Sequence, residues 1–352
     1  MGTIRVGIIG LGANCRLQHV AGLRACPQVE ILGVVNRREE STRKAAAEYS
    51  IPKTYSRWEE LVDDAEIDAV VIGTWPYLHC PITLAALESG KHVLTEARMA
   101  CNAEESHQML EASQRHPELV AQIVPSPMGF TGMRTVRRML SEGYIGRLRE
   151  VVVLSVSDGL ADATAPLHWR QSAEYSGLNM LSLGIVHEAT TRWIPQPTRV
   201  MAQTQAFIKH RKNGEEDGTV AVGTPDSVQV LTELPDGARG LYHVSGALYF
   251  GPGEQVHLYG DEGSIKYQMS PQDQIWAAKR GDAELQRVDV PCEEAYGWRV
   301  EQEFIEAIRG QGEIELTDFA TGVCYMEFTE AVARSAQTGQ AVDLPLSRGG
   351  AN

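Results

Sequence analysis

The sequence has no apolar run near the roughly 20 residues a membrane-spanning helix needs. Its longest apolar stretches, such as Val70-Val71-Ile72, are strand-sized. The N-terminus lacks a basic segment followed by a long apolar one and enters a strand pattern at Ile4, so no signal peptide is expected. Met1-Gly2 would suit myristoylation, but Val6 stands where Ser or Thr is required. Six scattered cysteines (Cys15, Cys26, Cys80, Cys101, Cys292, Cys324) form no CxxC pair. That pattern predicts reduced thiols in a cytoplasmic protein rather than a disulfide frame or zinc cage. Basic residues are the minority: 32 Lys and Arg against 46 Asp and Glu give a formal net charge of −14. Such a surface repels phosphate backbones, so no nucleic-acid partner is expected. GxSxG, HExxH and GxxxxGK[ST] are all missing, and the histidines lack metal-ligand spacing, so no metal is expected either. There is no internal repeat or low-complexity segment.

What remains is an ordinary folded composition, 43% hydrophobic and 22% charged over 352 residues. At about 150 residues per domain, that length suggests two domains. Residues 4 to about 125 alternate short apolar strands with helical patterns. Strands are expected at 4–9, 29–35, 68–73, 92–95 and 120–124, and helices at 16–23, 41–49, 80–89 and 103–115, the last capped by Asn102. Strands alternating with helices imply a doubly wound parallel sheet. After Pro125 and Pro127 the rhythm changes to β-rich stretches separated by turns such as Pro235-Asp236-Gly237. Helices are expected near 134–142, 298–309 and 318–337. The expected organisation is a Rossmann domain over 1–125, followed over 126–352 by an α+β domain on an open, largely antiparallel sheet.

Gly10-Leu11-Gly12-Ala13-Asn14-Cys15 follows the first strand and opens a helix. Gly10 permits a tight turn and Gly12 lets the backbone approach a pyrophosphate. Cys15, in place of a third glycine, stays small enough for helix–strand packing. The helix N-terminus offers N–H groups and positive dipole charge to the phosphates. At the end of the second strand, where an NAD-selective site carries Asp or Glu, stand Asn36, Arg37 and Arg38. Arginine pairs with a 2′-phosphate, which favours NADP, while Asn36 keeps NAD open by bonding a ribose hydroxyl.

With that loop, the runs Asp68-Ala69-Val70-Val71-Ile72-Gly73-Thr74 and Ala85-Ala86-Leu87-Glu88-Ser89-Gly90-Lys91-His92-Val93-Leu94-Thr95-Glu96 resemble the Gfo/Idh/MocA family. The resemblance covers nearly the whole chain. It implies hydride transfer at a carbon of a sugar, cyclitol or related compound, and a homodimer or homotetramer formed over the open sheet. It also implies that Thr74, Trp75 and Pro76 lie along the cofactor, His79 beside it and Glu96 near the nicotinamide ribose.

The sequence departs from the family at both acid/base motifs. Where the family has Glu-Lys-Pro, this chain has Glu96-Ala97-Arg98; arginine is a poor base but a good anchor for oxygen-rich groups. Where the family has Asp-x-Gly-x-His, aligning Gly184 puts Ser182 and Val186 at the two functional positions, with His187 and Glu188 directly after. One helical step turns ~100°, so a bulge or shifted helix would be needed to bring His187 in. Glu96, Arg98 and His187 are the catalytic candidates. The resemblance implies that the region of His168-Trp169-Arg170 faces the substrate, with Trp169 stacking on it and Arg170 clamping its oxygens; a core Trp169 with Arg170 paired to a nearby carboxylate is the equal alternative. Asn179, on a helix expected to open at Gly177, would share a face with His187; Asn179 and His187 are thus substrate candidates, with Asn179 either bonding a substrate hydroxyl or only capping that helix. Three readings stay open: a dehydrogenase or reductase with altered proton transfer, a cofactor-assisted hydrolase or lyase, and a nucleotide-binding protein without catalysis.

Overall fold

Val- and Ile-rich runs in the first third of the chain form strands covered on both faces, which is why they read as continuous apolar segments. The structure is a computed structural model and describes residues 2–214 and 218–347. Strands β1 (Ile4–Ile9), β2 (Val29–Val35), β3 (Lys53–Thr54), β4 (Ala69–Ile72), β5 (His92–Thr95) and β6 (Ala121–Ile123) make one parallel sheet in the order β3-β2-β1-β4-β5-β6. This is the doubly wound dinucleotide-binding order, with its switch point between β1 and β4. Between the strands run α1 (Val20–Ala25), entered through a π-helical turn at Cys15–His19, then α2 (Glu39–Tyr49), α3 (Trp58–Val62), α4 (His79–Glu88) and α5 (Ala103–Arg115). Asn102 caps α5 as expected, accepting from the Glu105 N–H at 2.8 Å. All four residues of β4 are fully buried, and Val70 and Ile72 pack with Ile82 and Leu87 of α4.

The second part of the chain contains α6 (Met133–Ser141), β7 (Leu148–Val156), α7 (Ala173–Ser176), α8 (Leu183–Thr191), β8 (Arg199–Gln205), β9 (His210–Lys212), β10 (Thr219–Ala221), β11 (Ser227–Glu233), β12 (Arg239–Ser245), β13 (Gly253–Gly260), β14 (Gly263–Gln268), β15 (Gln274–Lys279) and β16 (Gln286–Val288). Then follow α9 (Val300–Ile308), α10 (Phe319–Thr338) and β17 (Val342–Asp343). Nine strands form a sheet in the order β16-β15-β14-β13-β7-β12-β11-β8-β17, parallel only where β12 meets β7. Burial alternates along β8 and β11, as in a sheet with one packed and one open face.

The chain divides into two compact units. The first comprises residues 1–125 with 299–323, and the second 126–298 with 324–352. The segment carrying α9 therefore joins the nucleotide-type sheet rather than the β-rich unit, packing α9 on α1. Gly22 on α1 has no Cβ, and one built there would fall on the Glu301 carboxylate of α9, so the glycine is what lets the two helices meet.

Candidate functional site

The first unit has a cavity of about 560 Å³ at the C-terminal ends of β1, β2 and β4, where a doubly wound sheet binds ligands. Its wall contains Gly10, Gly12, Asn36, Arg37, Gly73, Thr74 and Trp75, so seven neighbouring positions from three βα turns converge there. Gly10 is held in the left-handed region at φ +83, and a Cβ there would lie 2.8 Å from the Thr74 nitrogen. A Cβ at Gly12 would meet nothing nearer than the Gly73 carbonyl at 3.6 Å. Gly10 is therefore needed for the turn, and Gly12 keeps the cavity wall bare. Cys15 fills the space above Gly73, where a Cβ would fall on its sulfur; burial pushes the thiol pKa up, so it packs rather than reacts.

Asn36 latches the loop from β2. Its Oδ1 accepts from the Leu11 N–H at 2.7 Å, and its Nδ2 donates to the Ser41 carbonyl at 3.1 Å. Arg37 is exposed at the cavity wall and makes no ion pair among the described residues. Arg38 lies outside the wall at the N-cap of α2, where its carbonyl accepts from Ser41 Oγ. The sequence reading missed Ser41, Arg57 and Trp58, which complete the wall on the α2–α3 side. These lie beyond the glycine signature, and no spacing rule points to them.

The Thr74 hydroxyl is buried with no hydrogen-bond partner among the described residues. A buried hydroxyl lacking a partner beside a glycine cradle fits an oxygen-rich ligand such as a dinucleotide. Ala13, Asn14, Cys15, Pro76, His79 and Glu96 do not line this cavity. His79 is fully buried, with its ring nitrogens facing the Thr74 and Arg98 carbonyls at 3.0 and 2.8 Å. It thus ties the turn after β4 to the segment after β5, and burial holds its pKa below the usual value. Arg98 is 6% exposed. Glu96 leaves β5 with Oε1 bonded by the Asn14 side-chain amide and by His19 Nε2 at 2.9 Å, another residue missed in the sequence. Burial alone would raise the Glu96 pKa, but His19 and Asn14 outweigh it and keep the group below the ordinary carboxylate range.

In the second unit three expectations are corrected. Gly177 does not open a helix; at φ +62 it closes α7, as glycine does at a helix end. Asn179 consequently precedes α8, shares no helix face with His187, and donates from Nδ2 to the Ser176 carbonyl at 2.7 Å. Leu183–Thr191 is a regular α-helix with no bulge, so His187 is not rotated into the position of Val186. His187 is fully buried, stacked on Phe328 at 3.6 Å, with ring nitrogens 2.9 Å from the Tyr242 hydroxyl and 3.0 Å from Gln196 Oε1. Burial pushes its pKa down to about 3. A neutral imidazole enclosed this way is a packing group. Glu188 is likewise committed: it pairs with Arg192 at 2.7 Å and accepts from the Ser126 N–H at 2.9 Å. Trp169 and Arg170 sit together in a 3-10 turn capped by His168, with the guanidinium 4.3 Å from the indole centroid.

Residues 4–123 match the family described as "Oxidoreductase family, NAD-binding Rossmann fold", and residues 133–266 match the GFO/IDH/MocA C-terminal domain. Among characterised proteins the chain is similar to 1,5-anhydro-D-fructose reductase of Ensifer adhaerens (28% identity; 97% of this chain, 98% of the relative). It is also similar to the NADP(+)-named scyllo-inositol 2-dehydrogenase of Bacillus subtilis (24%; 99% and 90%). Levoglucosan dehydrogenase of Pseudarthrobacter phenanthrenivorans is 24% identical over 80% of this chain and 78% of its own length. A solved structure of a levoglucosan dehydrogenase, in complex with NADH and L-sorbose, has the same fold with a TM-score of 0.85 at 23% identity, covering 97% of this chain and 99% of that one. By sequence and by fold, this chain is a member of the GFO/IDH/MocA family of oxidoreductases.

Proposed function

We propose that the protein moves hydride between a nicotinamide dinucleotide and a sugar, cyclitol or related hydroxy or keto compound. The observation that carries this reading is the cavity at the β1–β4 switch point, where a bare Gly12 meets a buried Thr74 hydroxyl that has no partner among the described residues. Bound there, the nicotinamide supplies the hydride acceptor or donor. Gly10 and Gly12 would take the diphosphate, Thr74 a phosphate or ribose oxygen, and Trp75 would flank the nucleotide. Arg37, exposed and without an ion pair among the described residues, favours a 2′-phosphate and hence NADP over NAD. Trp169 and Arg170 form a stacked aromatic–cation pair suited to a sugar face and its oxygens. Arg98 is assigned to binding rather than proton transfer, because a guanidinium does not give up its proton near neutral pH.

We also propose a homodimer or homotetramer. Leu231 lies directly across from Met201 and Leu241 on the open face of the nine-stranded sheet, and the three are 59%, 50% and 40% exposed. An apolar row of that kind suits the same face of a second copy.

The test combines nucleotide titration with a turnover screen over sugars, cyclitols and their keto forms, following nicotinamide absorbance. Stoichiometric reduction or oxidation of the nucleotide supports the proposal. Product formation with the nucleotide unchanged overall would replace it with the hydrolase or lyase reading, and tight nucleotide binding without any turnover would leave only a binding protein.

A further inference from the structure

Glu96, His19 and Glu301 form a buried chain of side chains in the first unit, although Glu301 lies 282 residues beyond His19 in sequence. His19 Nδ1 is 2.5 Å from Glu301 Oε1, and Nε2 is 2.9 Å from Glu96 Oε1. His19 is fully buried and the Glu301 side chain is 2% exposed. Burying a carboxylate is costly unless a charge partners it. A carboxylate on each ring nitrogen is satisfied only when both nitrogens carry a proton, that is, by an imidazolium. The titratable groups facing His19 are Glu96 at the end of β5, Glu301 on α9 and the Cys15 thiol of its own helix. Burial alone would lower the His19 pKa, but its bonds to Glu301 and Glu96 outweigh that and raise it to about 9.

Cys15, His19 and Glu96 also bring potential metal-ligand atoms within 4.8 Å of one another. Both His19 nitrogens are already committed to carboxylates and burial keeps the thiol protonated, so hydrogen bonding rather than a cation accounts for the cluster.

The arrangement sets what Glu96 can offer. Its Oε1 takes both the Asn14 amide and His19, and no bond to Oε2 is made among the described residues. Asn14 follows directly on the glycine turn; Glu96 lies outside the wall of the cavity, one strand beyond the β1–β4 switch point, at the same C-terminal edge of the parallel sheet, along which a dinucleotide reaching past that cavity would extend. We propose that Glu301 is a positioning residue: acting through a charged His19, it keeps Glu96 ionised and its Oε2 turned to accept a hydroxyl of the bound dinucleotide. This rests on the nucleotide reading of the site.

The test uses the full-length protein, with 15N-histidine NMR and NADH and NADPH titrations followed by nicotinamide fluorescence. The wild type should show a doubly protonated His19 at pH 7.5 and dissociation constants that change less than about twofold between pH 6 and 8. In Glu301→Gln, His19 should titrate within that range. The dissociation constant should then rise about tenfold from pH 6 to pH 8, the effect of losing one charge-assisted hydrogen bond. His19→Gln, which keeps a donor toward Glu96 but no charge, should bind more weakly at every pH, without the pH dependence. A neutral His19 in the wild type overturns the inference and needs no variant to fold. A Glu301→Gln profile superimposable on that of a nucleotide-binding wild type overturns this inference alone. A wild type that binds neither nucleotide overturns the function proposed above together with it.

Discussion

The Asn36 side-chain oxygen accepts a hydrogen bond from the Leu11 backbone N–H at 2.7 Å, fastening the glycine turn to the end of β2. The residue that ordinarily selects the nucleotide is thus also a structural latch. Asn36→Asp keeps the acceptor for Leu11 but loses the donor to the Ser41 carbonyl and adds a negative charge beside any 2′-phosphate. NADPH binding is expected to fall relative to NADH. Arg37→Ala should weaken NADPH about tenfold or more, as for a lost hydrogen bond to a charged group, while NADH changes by less than about threefold. Paired dissociation constants for the two nucleotides check both expectations.

The two glycines of the turn should fail in different ways. Gly10→Ala forces a Cβ into a left-handed residue 2.8 Å from backbone, and is expected to lose more than about 1 kcal/mol of stability. Gly12→Ala meets only ordinary contacts and should melt near the wild-type temperature, yet its methyl group intrudes on the diphosphate position and abolishes binding. Thermal melts and nucleotide titration on both variants separate the two effects.

His187 should matter to stability and not to chemistry. His187→Ala removes a stacked ring and leaves the Tyr242 hydroxyl without its partner, at a cost of about 2–4 kcal/mol. Turnover per folded molecule should stay within about threefold of wild type, whereas loss of a general base would cost about 10²–10⁴-fold. The pH dependence has a defined sign. The folded pKa, near 3, lies below the unfolded value of about 6.5, so the contribution is present above pH 6.5 and is lost as pH falls toward 3. Denaturant melts from pH 7.5 to 4 should show the acid-side decline attributable to His187 in the wild type and not in the variant.

The apolar row on the open sheet predicts its own disruption. Leu231→Glu places a charge between Met201 and Leu241. Light scattering behind size exclusion should report a dimer or tetramer for the wild type and a monomer for the variant. A monomeric wild type would rule out the proposed oligomer.

The sequence made the nucleotide unit legible because its strands are Val- and Ile-rich and its caps are local. Val70–Ile72 and the Asn102 cap needed no tertiary information. The β-rich unit showed its alternation, but the short strands β9, β10 and β16 and the helix Trp58–Val62 carry too few periodic residues to stand out. Gly177 was misread because a glycine next to a helix does not announce which end it marks, and the left-handed φ that decides it is a property of the folded backbone. The role of His187 turned on its burial against Phe328, Tyr242 and Gln196, which lie on three other segments. The return of α9 to the first unit, bringing Glu301 to His19, leaves no periodic or motif signature at all.

If the cradle of Gly10, Gly12 and Thr74 holds a nicotinamide dinucleotide, the purified protein binds one without any substrate present. Titrating the purified protein with NADPH and NADH by calorimetry tests it most directly. Binding is expected to be saturable and one-to-one, tighter for NADPH, and to disappear in Gly12→Ala at unchanged melting temperature. Absence of binding by either nucleotide, or binding that Gly12→Ala leaves intact, would contradict it.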